Sequence, residues 1–413
     1  MRAATSPCAP RARSIAVLAS LLAGCSQAAA DVYPTDFGPR EPGTAAAIAY
    51  DQGLTRYLGT ARPSETTVGT SSTTYTFDPA DGPMCMRGAP YSAAVRDVAE
   101  SEDLLIFLQG GGACWSAFCL AVTAAPPGIP PGDLLRPGDT NPLSGWDVLY
   151  LPYCDGSLFA GDADVDEDGD GTPDRFHHGL ANLSAALTMG YQHFPAPRRI
   201  VLAGSSGGGF GTVLAAFLVR YVYPDVPIAV LNDAGVGVAR SDDPSFVATI
   251  IDEFGARDFI PDDCVGCTDD GHITDLVDYL LDRDPNLRIA AISSWYDYVI
   301  GEVFLMTTPE AFRDSLAAET GALHDEHPDA YRRFLYDGAA HTALLGNVTG
   351  IVGRDLTAVE LPDDPSVLTR IELESIGTAT VDGVVLRDWI AAMIADDPAW
   401  LDLVATPGPP PTP

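Results

Sequence analysis

The residues best suited to chemistry lie in Arg199–Gly211, RIVLAGSSGGGFG. A short apolar run, Arg199 to Ala203, ends in Gly204-Ser205-Ser206-Gly207-Gly208. An apolar helical run then follows from Thr212 to Val222. Strand, tight glycine-flanked turn and helix form the setting in which a G-x-S-x-G serine becomes a nucleophile. In that frame the nucleophile is Ser206. The helix N-terminus behind it turns free N–H groups toward any negative charge that develops there. A phosphate loop is the competing reading, but a Walker-type loop needs a lysine. The chain contains none.

A serine hydroxyl needs a base, and the base needs an orienting acid. Asp297 follows the strand-like run Leu287–Ser293, and His341 follows Arg333–Tyr336. The chain order is therefore serine, acid, histidine, with each residue after a strand. Asp233, just beyond Pro227–Leu231, is the rival acid. Six of the seven histidines have plainer roles. His177 and His178 flank an acidic loop, His193 precedes a proline turn, and His272, His324 and His327 lie in polar segments. Around His341, Gly338, Ala339 and Ala340 are small enough to leave an imidazole free to reach a neighbour. Oxyanion donors are expected from the Gly207 N–H and from Gly111 and Gly112, after the run Leu104–Leu108. Each such donor is worth about 3–4 kcal/mol in a transition state.

Those residues need a scaffold that brings strand ends together. Strand-like runs at 73–77, 104–108, 146–152, 199–203, 227–231, 287–293 and 333–336 alternate with helical patterns at 180–189, 212–222 and 309–319. This alternation predicts an α/β fold, α/β-hydrolase-like, with a mostly parallel sheet, helices on both faces and long loop insertions. Ligands in such sheets bind at the carboxyl ends of the strands. The expected body spans 46–403, with 237–286 as a lid or insertion. A tether at 25–45 precedes it, a helix is expected at 384–403, and a disordered tail follows at 404–413.

The N-terminus carries Arg2, Arg11 and Arg13 ahead of the apolar run Ile15–Leu22, which is too short to span a bilayer. It ends in Leu22-Ala23-Gly24-Cys25, which resembles a bacterial lipobox, with Cys25 as the lipidated residue after loss of residues 1–24. Cleavage near Ala28–Ala30, giving a secreted protein, is the alternative. Either way the chain is expected to be exported, touching a membrane only through its N-terminal lipid. Six further cysteines fit disulfides in an oxidising compartment. Short spacings favour Cys114–Cys119 and Cys264–Cys267, leaving Cys85–Cys154, one of about 15 connectivities that six cysteines allow. Cys264 and Cys267 could also form half a zinc site, but no second pair at metal spacing accompanies them.

Twenty-three basic residues face 57 acidic ones, a net charge of −34. Such a surface repels polyanions, so nucleic acid is not an expected partner. Within this excess, Asp162–Asp174 reads DADVDEDGDGTPD. Asp166, Asp168, Asp170 and Asp174 have the oxygen-ligand spacing of a calcium loop, with Gly171 at the turn. His177 stands where an EF-hand needs its bidentate Glu, so the loop is closer to the DxDxDGDGxxD type. A solvated acidic loop is the competing reading. Catalysis is expected to need no cofactor, and calcium would be structural.

Taken together, FLQGGGACW (107–115), PYCDGSLFAGD (152–162), FHHGLANLSAAL (176–187), GSSGGG (204–209), NDAG (232–235) and SWYD (294–297) resemble the pectin acetylesterase/Notum-type carboxylesterases. The resemblance runs in order across residues 80–345. It implies acyl-ester hydrolysis through Ser206, Asp297 and His341, with Gly111, Gly112 and Gly207 at the oxyanion. The chain departs from the family in having Gly207 where Ala is common and in lacking cysteines near His341. The acidic loop also looks like an insertion. The charge of the chain further predicts a neutral substrate, an acylated carbohydrate or small ester, rather than polygalacturonate. Two alternatives remain from the sequence: a non-catalytic, calcium-dependent binding lipoprotein on an esterase fold, and a lipase or polyester hydrolase.

Overall fold

The computed structural model describes residues 37–411, except 241, 244, 268–270, 347–355 and 363. The leader, Cys25 and the first part of the tether lie outside the described residues. Ten strands form the main sheet. In chain order they are β1 (Pro63–Val68), β2 (Thr73–Phe77), β3 (Ser92–Arg96), β4 (Asp103–Leu108) and β5 (Asp147–Leu151). Then come β6 (Arg199–Ser205), β7 (Ile228–Asp233), β8 (Leu287–Ser294), β9 (Tyr331–Tyr336) and β10 (Leu403–Val404). Across the sheet they run β1-β2-β3-β5-β4-β6-β7-β8-β9-β10. The pairs from β1 to β5 are antiparallel, and every pair from β5 onward is parallel.

The central strands are apolar on both sides because both faces are covered. In β4, Leu104, Ile106 and Leu108 enter one core while Leu105 and Phe107 enter the other. The first core is roofed by α1 (Ala45–Asp51), α2 (Gly179–His193), α3 (Gly207–Val222), α4 (Phe246–Glu253), α5 (Thr274–Arg283) and α6 (Pro309–Glu326). The second is roofed by α7 (Leu386–Ile394), through Leu386, Trp389, Ile390 and Met393, together with long loops. The α/β architecture expected from the sequence is therefore the one observed. Among the described residues no helix is long and apolar enough to cross a membrane.

Three boundaries differ from expectation. The described end of the tether is docked: Tyr221 Oη donates to the Gly38 carbonyl at 2.8 Å, and Arg40 lies over the Tyr221 ring. The buried alanines of α1 hold it against α3. The segment 237–286 is not simply a lid, because α5 is the crossover helix between β7 and β8. Ile273, Leu276, Val277 and Leu280 are all buried in the core, and their i, i+3, i+4, i+7 spacing makes one helix face. The expected disordered tail is held as far as Gly408. Leu403–Val404 join β9, Ala405 N donates to the Leu335 carbonyl, and Gly408 N donates to Asp337.

Candidate active site

Strand β6 ends at the expected nucleophile, Ser206. Ser206 lies between β6 and α3 at φ 59° and ψ −124°, a region strained for any residue with a Cβ. The strain is imposed from both sides. Ser206 N donates to the Asp233 carbonyl at 2.8 Å, while its own carbonyl receives Phe210 N at 3.1 Å. The turn also needs bare backbone. A Cβ on Gly208 would stand 2.1 Å from the Leu108 carbonyl oxygen, so only glycine lets α3 begin this close to β4.

The glycine loop after β4 abuts the elbow. A Cβ on Gly110 would lie 2.4 Å from the Ser205 carbonyl oxygen and 2.8 Å from Ser206 Cβ. Gly111 and Gly207 both pack on the ring of Tyr153, whose hydroxyl accepts from Leu158 N at 3.0 Å. Gly112 opens a hairpin, Gly112–Trp115 with Phe118–Val122, that the Cys114–Cys119 disulfide closes. Gly112 and Gly207 line one small space beside Ser206, with Gly207 as the first residue of α3, and Gly111 reaches it through the shared Tyr153 ring.

His341 and Asp297 form the second half of the site. His341 Nδ1 lies 2.9 Å and 3.0 Å from the two Asp297 carboxylate oxygens. Both side chains are buried. Asp297 Oδ1 also accepts from Ile300 N at 3.0 Å, which fixes the carboxylate plane. His341 N donates to the Glu372 carbonyl, and Ser294 Oγ to that of Ala340, so the loop is held from two sides. With Nδ1 donating to Asp297, Nε2 is left as the acceptor a base requires. Ser206 Oγ makes no hydrogen bond to His341 in this structure; such bonds often tighten only with substrate bound. The rival acid, Asp233, is engaged elsewhere: its carboxylate accepts from Ser205 Oγ, Ala343 N and Leu344 N.

Beside Ser206 lies an apolar cleft lined by Phe118, Leu120, Leu158, Phe210, Val303 and Phe304 among others. Phe118 and Val303 also border a much larger polar groove that reaches Asp166 and Glu167 of the acidic loop. The π-helical turn Val299–Phe304, directly after Asp297, supplies one wall of the cleft. Nothing in its sequence, VIGEVF, signals that role. Gly110 and Tyr153 were likewise not singled out from sequence, although both stood within motifs that were.

The acidic loop closes the hairpin Ala163–Val165 with Arg175–His177. Carboxylate oxygens of Asp166, Asp168 and Asp174 lie within 4.8 Å of one another, and all three residues are exposed. Asp170 is outside this group and caps Thr172 N at 2.8 Å. Backbone N–H groups, first that of Gly171, hold the Asp166 carboxyl below its usual range. Disulfides join Cys85–Cys154, Cys114–Cys119 and Cys264–Cys267, the pairs that the spacings favoured. Cys264 and Cys267 are thus no zinc half-site.

The sheet is α/β-hydrolase-like, and the ends of its parallel strands carry Ser206 and the His341–Asp297 pair. The pectinacetylesterase family model matches residues 137–254, the stretch from before YCDGS to beyond NDAG. Among solved structures, the Wnt deacylase Notum from Drosophila shares the fold. Its TM-score is 0.53 at 15% identity, over 80% of this chain and 96% of that one. No curated protein matches in sequence. The family-model match supports an esterase of the pectinacetylesterase type over that stretch, and the structural match shows the fold.

Proposed function

We propose that the chain is an exported serine carboxylesterase that removes short acyl groups, acetyl foremost, from a neutral carbohydrate or small alcohol. Ser206 attacks the ester carbonyl, and His341 Nε2 takes its proton and returns it to the leaving alcohol. Asp297 holds the ring, and the N–H groups of Gly111, Gly112 and Gly207 receive the oxyanion. Water then hydrolyses the acyl-enzyme by the same route. The observation that carries this reading is the buried His341–Asp297 pair at 2.9 Å, on the loops that follow β8 and β9, beside the elbow sheet.

The size of the cleft bears on the acyl group. The cleft is small and apolar, walled by Phe118, Leu120, Phe210 and Phe304. A small apolar cleft of this kind suits a short acyl group such as acetyl. The test is hydrolysis of p-nitrophenyl esters by wild type and Ser206→Ala. Wild type is expected to prefer acetate over octanoate in kcat/KM, and the variant to be inactive. Equal rates for the two proteins would sink the reading.

The alcohol has more room, about 1010 Å³ in the adjoining groove. Three arginines and five acidic residues line that groove, so its balance is negative. The arginines are already engaged: Arg87 and Arg175 with Glu167, and Arg370 with Glu302. Among the described residues a polyanion finds no free cation there. At low salt with calcium chelated, deacetylation of acetylxylan is expected to outpace that of acetylated pectin; the reverse order would contradict a neutral substrate.

Two further parts of the proposal concern the chain outside the site. The loop of Asp166, Asp168 and Asp174, with Asp170 beside it, is proposed to hold a structural calcium ion of millimolar-range affinity. Calcium is expected to raise the Tm of the wild type but not of Asp166→Ala, as thermal unfolding with and without chelator would show. The three disulfides fit an exported protein, and Cys25 is proposed to carry the lipid. Cys25→Ser is expected to move the protein from the membrane to the soluble fraction; an unchanged distribution would favour simple secretion.

A further inference from the structure

Asp233 is a fully buried carboxylate that acyl transfer does not use. It ends β7 in register with Ser205, the residue before the nucleophile. Ser205 Oγ donates to its Oδ2 at 2.8 Å, and Leu344 N donates to the same oxygen at 3.0 Å. Ala343 N reaches both oxygens, at 3.1 and 2.9 Å. The carbonyl of the same residue receives Ser206 N at 2.8 Å. One residue therefore grips the backbone of the nucleophile at one end and the loop just beyond His341 at the other.

The loop needs such a grip. Thr342, between His341 and the two donating amides, sits at φ 63°, a conformation a β-branched residue keeps only when its surroundings impose it. Burial pushes the Asp233 carboxyl up to about 6, while the N–H and O–H donors pull it back down. Near neutral pH the carboxylate is thus the form that meets four donor contacts. The ionisable groups gathered here are His341, which meets Asp297 directly and feels the charge of Asp233, and Tyr336, whose phenol is pushed up by burial and by Asp233, Asp297 and Glu374.

We propose that Asp233 is a positioning residue: it pins the strained 342–344 turn to the end of the elbow strand and so sets where His341 stands relative to Ser206. The inference rests on the Ser206–His341–Asp297 reading.

The test is Asp233→Asn in the full chain, assayed on p-nitrophenyl acetate across pH beside Ser206→Ala and His341→Ala, with thermal unfolding of each. The amide keeps the shape and its carbonyl oxygen can take the Oδ2 place, but its NH2 then faces Ala343 N donor against donor, where Oδ1 accepted at 3.1 Å, and the negative charge is gone. For folded Asp233→Asn, kcat is expected to fall about 100-fold, the scale of a 1 Å misplacement, with KM little changed. The acidic limb of kcat/KM should also move to lower pH, because a negative charge favouring the imidazolium is gone. A merely structural staple would lower Tm and leave kcat of the folded enzyme at the wild-type value, whatever the lost charge does to the profile, and that would overturn the proposal. If Asp233→Asn does not fold, Ser205→Ala carries the test. It removes one anchor while keeping the carboxylate and the loop amides. A several-fold loss in kcat at constant KM is expected, and a wild-type kcat overturns the proposal. Activity retained by Ser206→Ala would instead overturn the triad. Inactive Ser206→Ala and His341→Ala beside a fully active Asp233→Asn would overturn the positioning role alone.

Discussion

Ser206→Ala is expected to lower kcat on p-nitrophenyl acetate by on the order of 10⁴–10⁶, about 5–8 kcal/mol of barrier, with KM almost unchanged. The chain folds the elbow without help from the hydroxyl. The strained backbone at φ 59° is imposed by the bond to the Asp233 carbonyl and by the close approach of Gly208 to Leu108. Alanine fits that turn as well as serine, so Tm should hardly move. What remains is catalysis by the oxyanion donors alone, which is small but above water. Initial-rate kinetics on protein freed of trace esterase, with an organophosphate label to count active serines, would check it. A variant within tenfold of wild type would remove Ser206 from the mechanism.

Why the elbow could be read from sequence while other parts could not has a physical basis. A nucleophile on a sharp strand-to-helix turn demands glycines at fixed offsets, so the local string is informative. The same holds for the glycine loop: side chains at Gly110 or Gly208 would collide with backbone. Choosing between Asp297 and Asp233 was different. Both are acids at strand ends, and both are buried. What separates them is the path of residues 341–344, whose amides fold back onto β7. That path is a long-range outcome with no local signature.

The segments misread follow the same logic. Cys264–Cys267 and the acids just before it look like a loop, and they are one. The helix just beyond, an amphipathic run from Ile273 to Leu281, buries Ile273, Leu276, Val277 and Leu280 against the body, so part of the expected lid or insertion packs as core. Proline in the tail suggested disorder, since proline cannot donate to a ladder. The tail is nonetheless held by carbonyls, which proline retains: Trp295 Nε1 donates to the Ala405 carbonyl, and Tyr296 Oη to that of Gly408, both at 2.7 Å. Both contacts fall just ahead of Asp297, so the C-terminal strap braces the strand end that carries the acid.

Asp297→Asn is expected to cost kcat on the order of 10⁴ while leaving the fold intact, because it reverses the hydrogen-bond sense at the imidazole. Asp297 Oδ1 accepts from Ile300 N at 3.0 Å, an N–H that an amide nitrogen cannot face. The asparagine carbonyl oxygen therefore takes the Oδ1 place. The NH2 then occupies the Oδ2 place, 2.9 Å from His341 Nδ1. An NH2 there donates, so Nδ1 becomes the acceptor and the ring proton moves to Nε2. A protonated Nε2 cannot take the proton of Ser206. Substrate binding is untouched, so KM should stay near wild type. In the Ser206→Ala background the same substitution should change almost nothing, since the two residues act as a unit. Steady-state kinetics of both single variants and the double variant would show this. Additive losses, or an Asp297→Asn enzyme within tenfold of wild type, would mean that His341 takes its orientation from elsewhere.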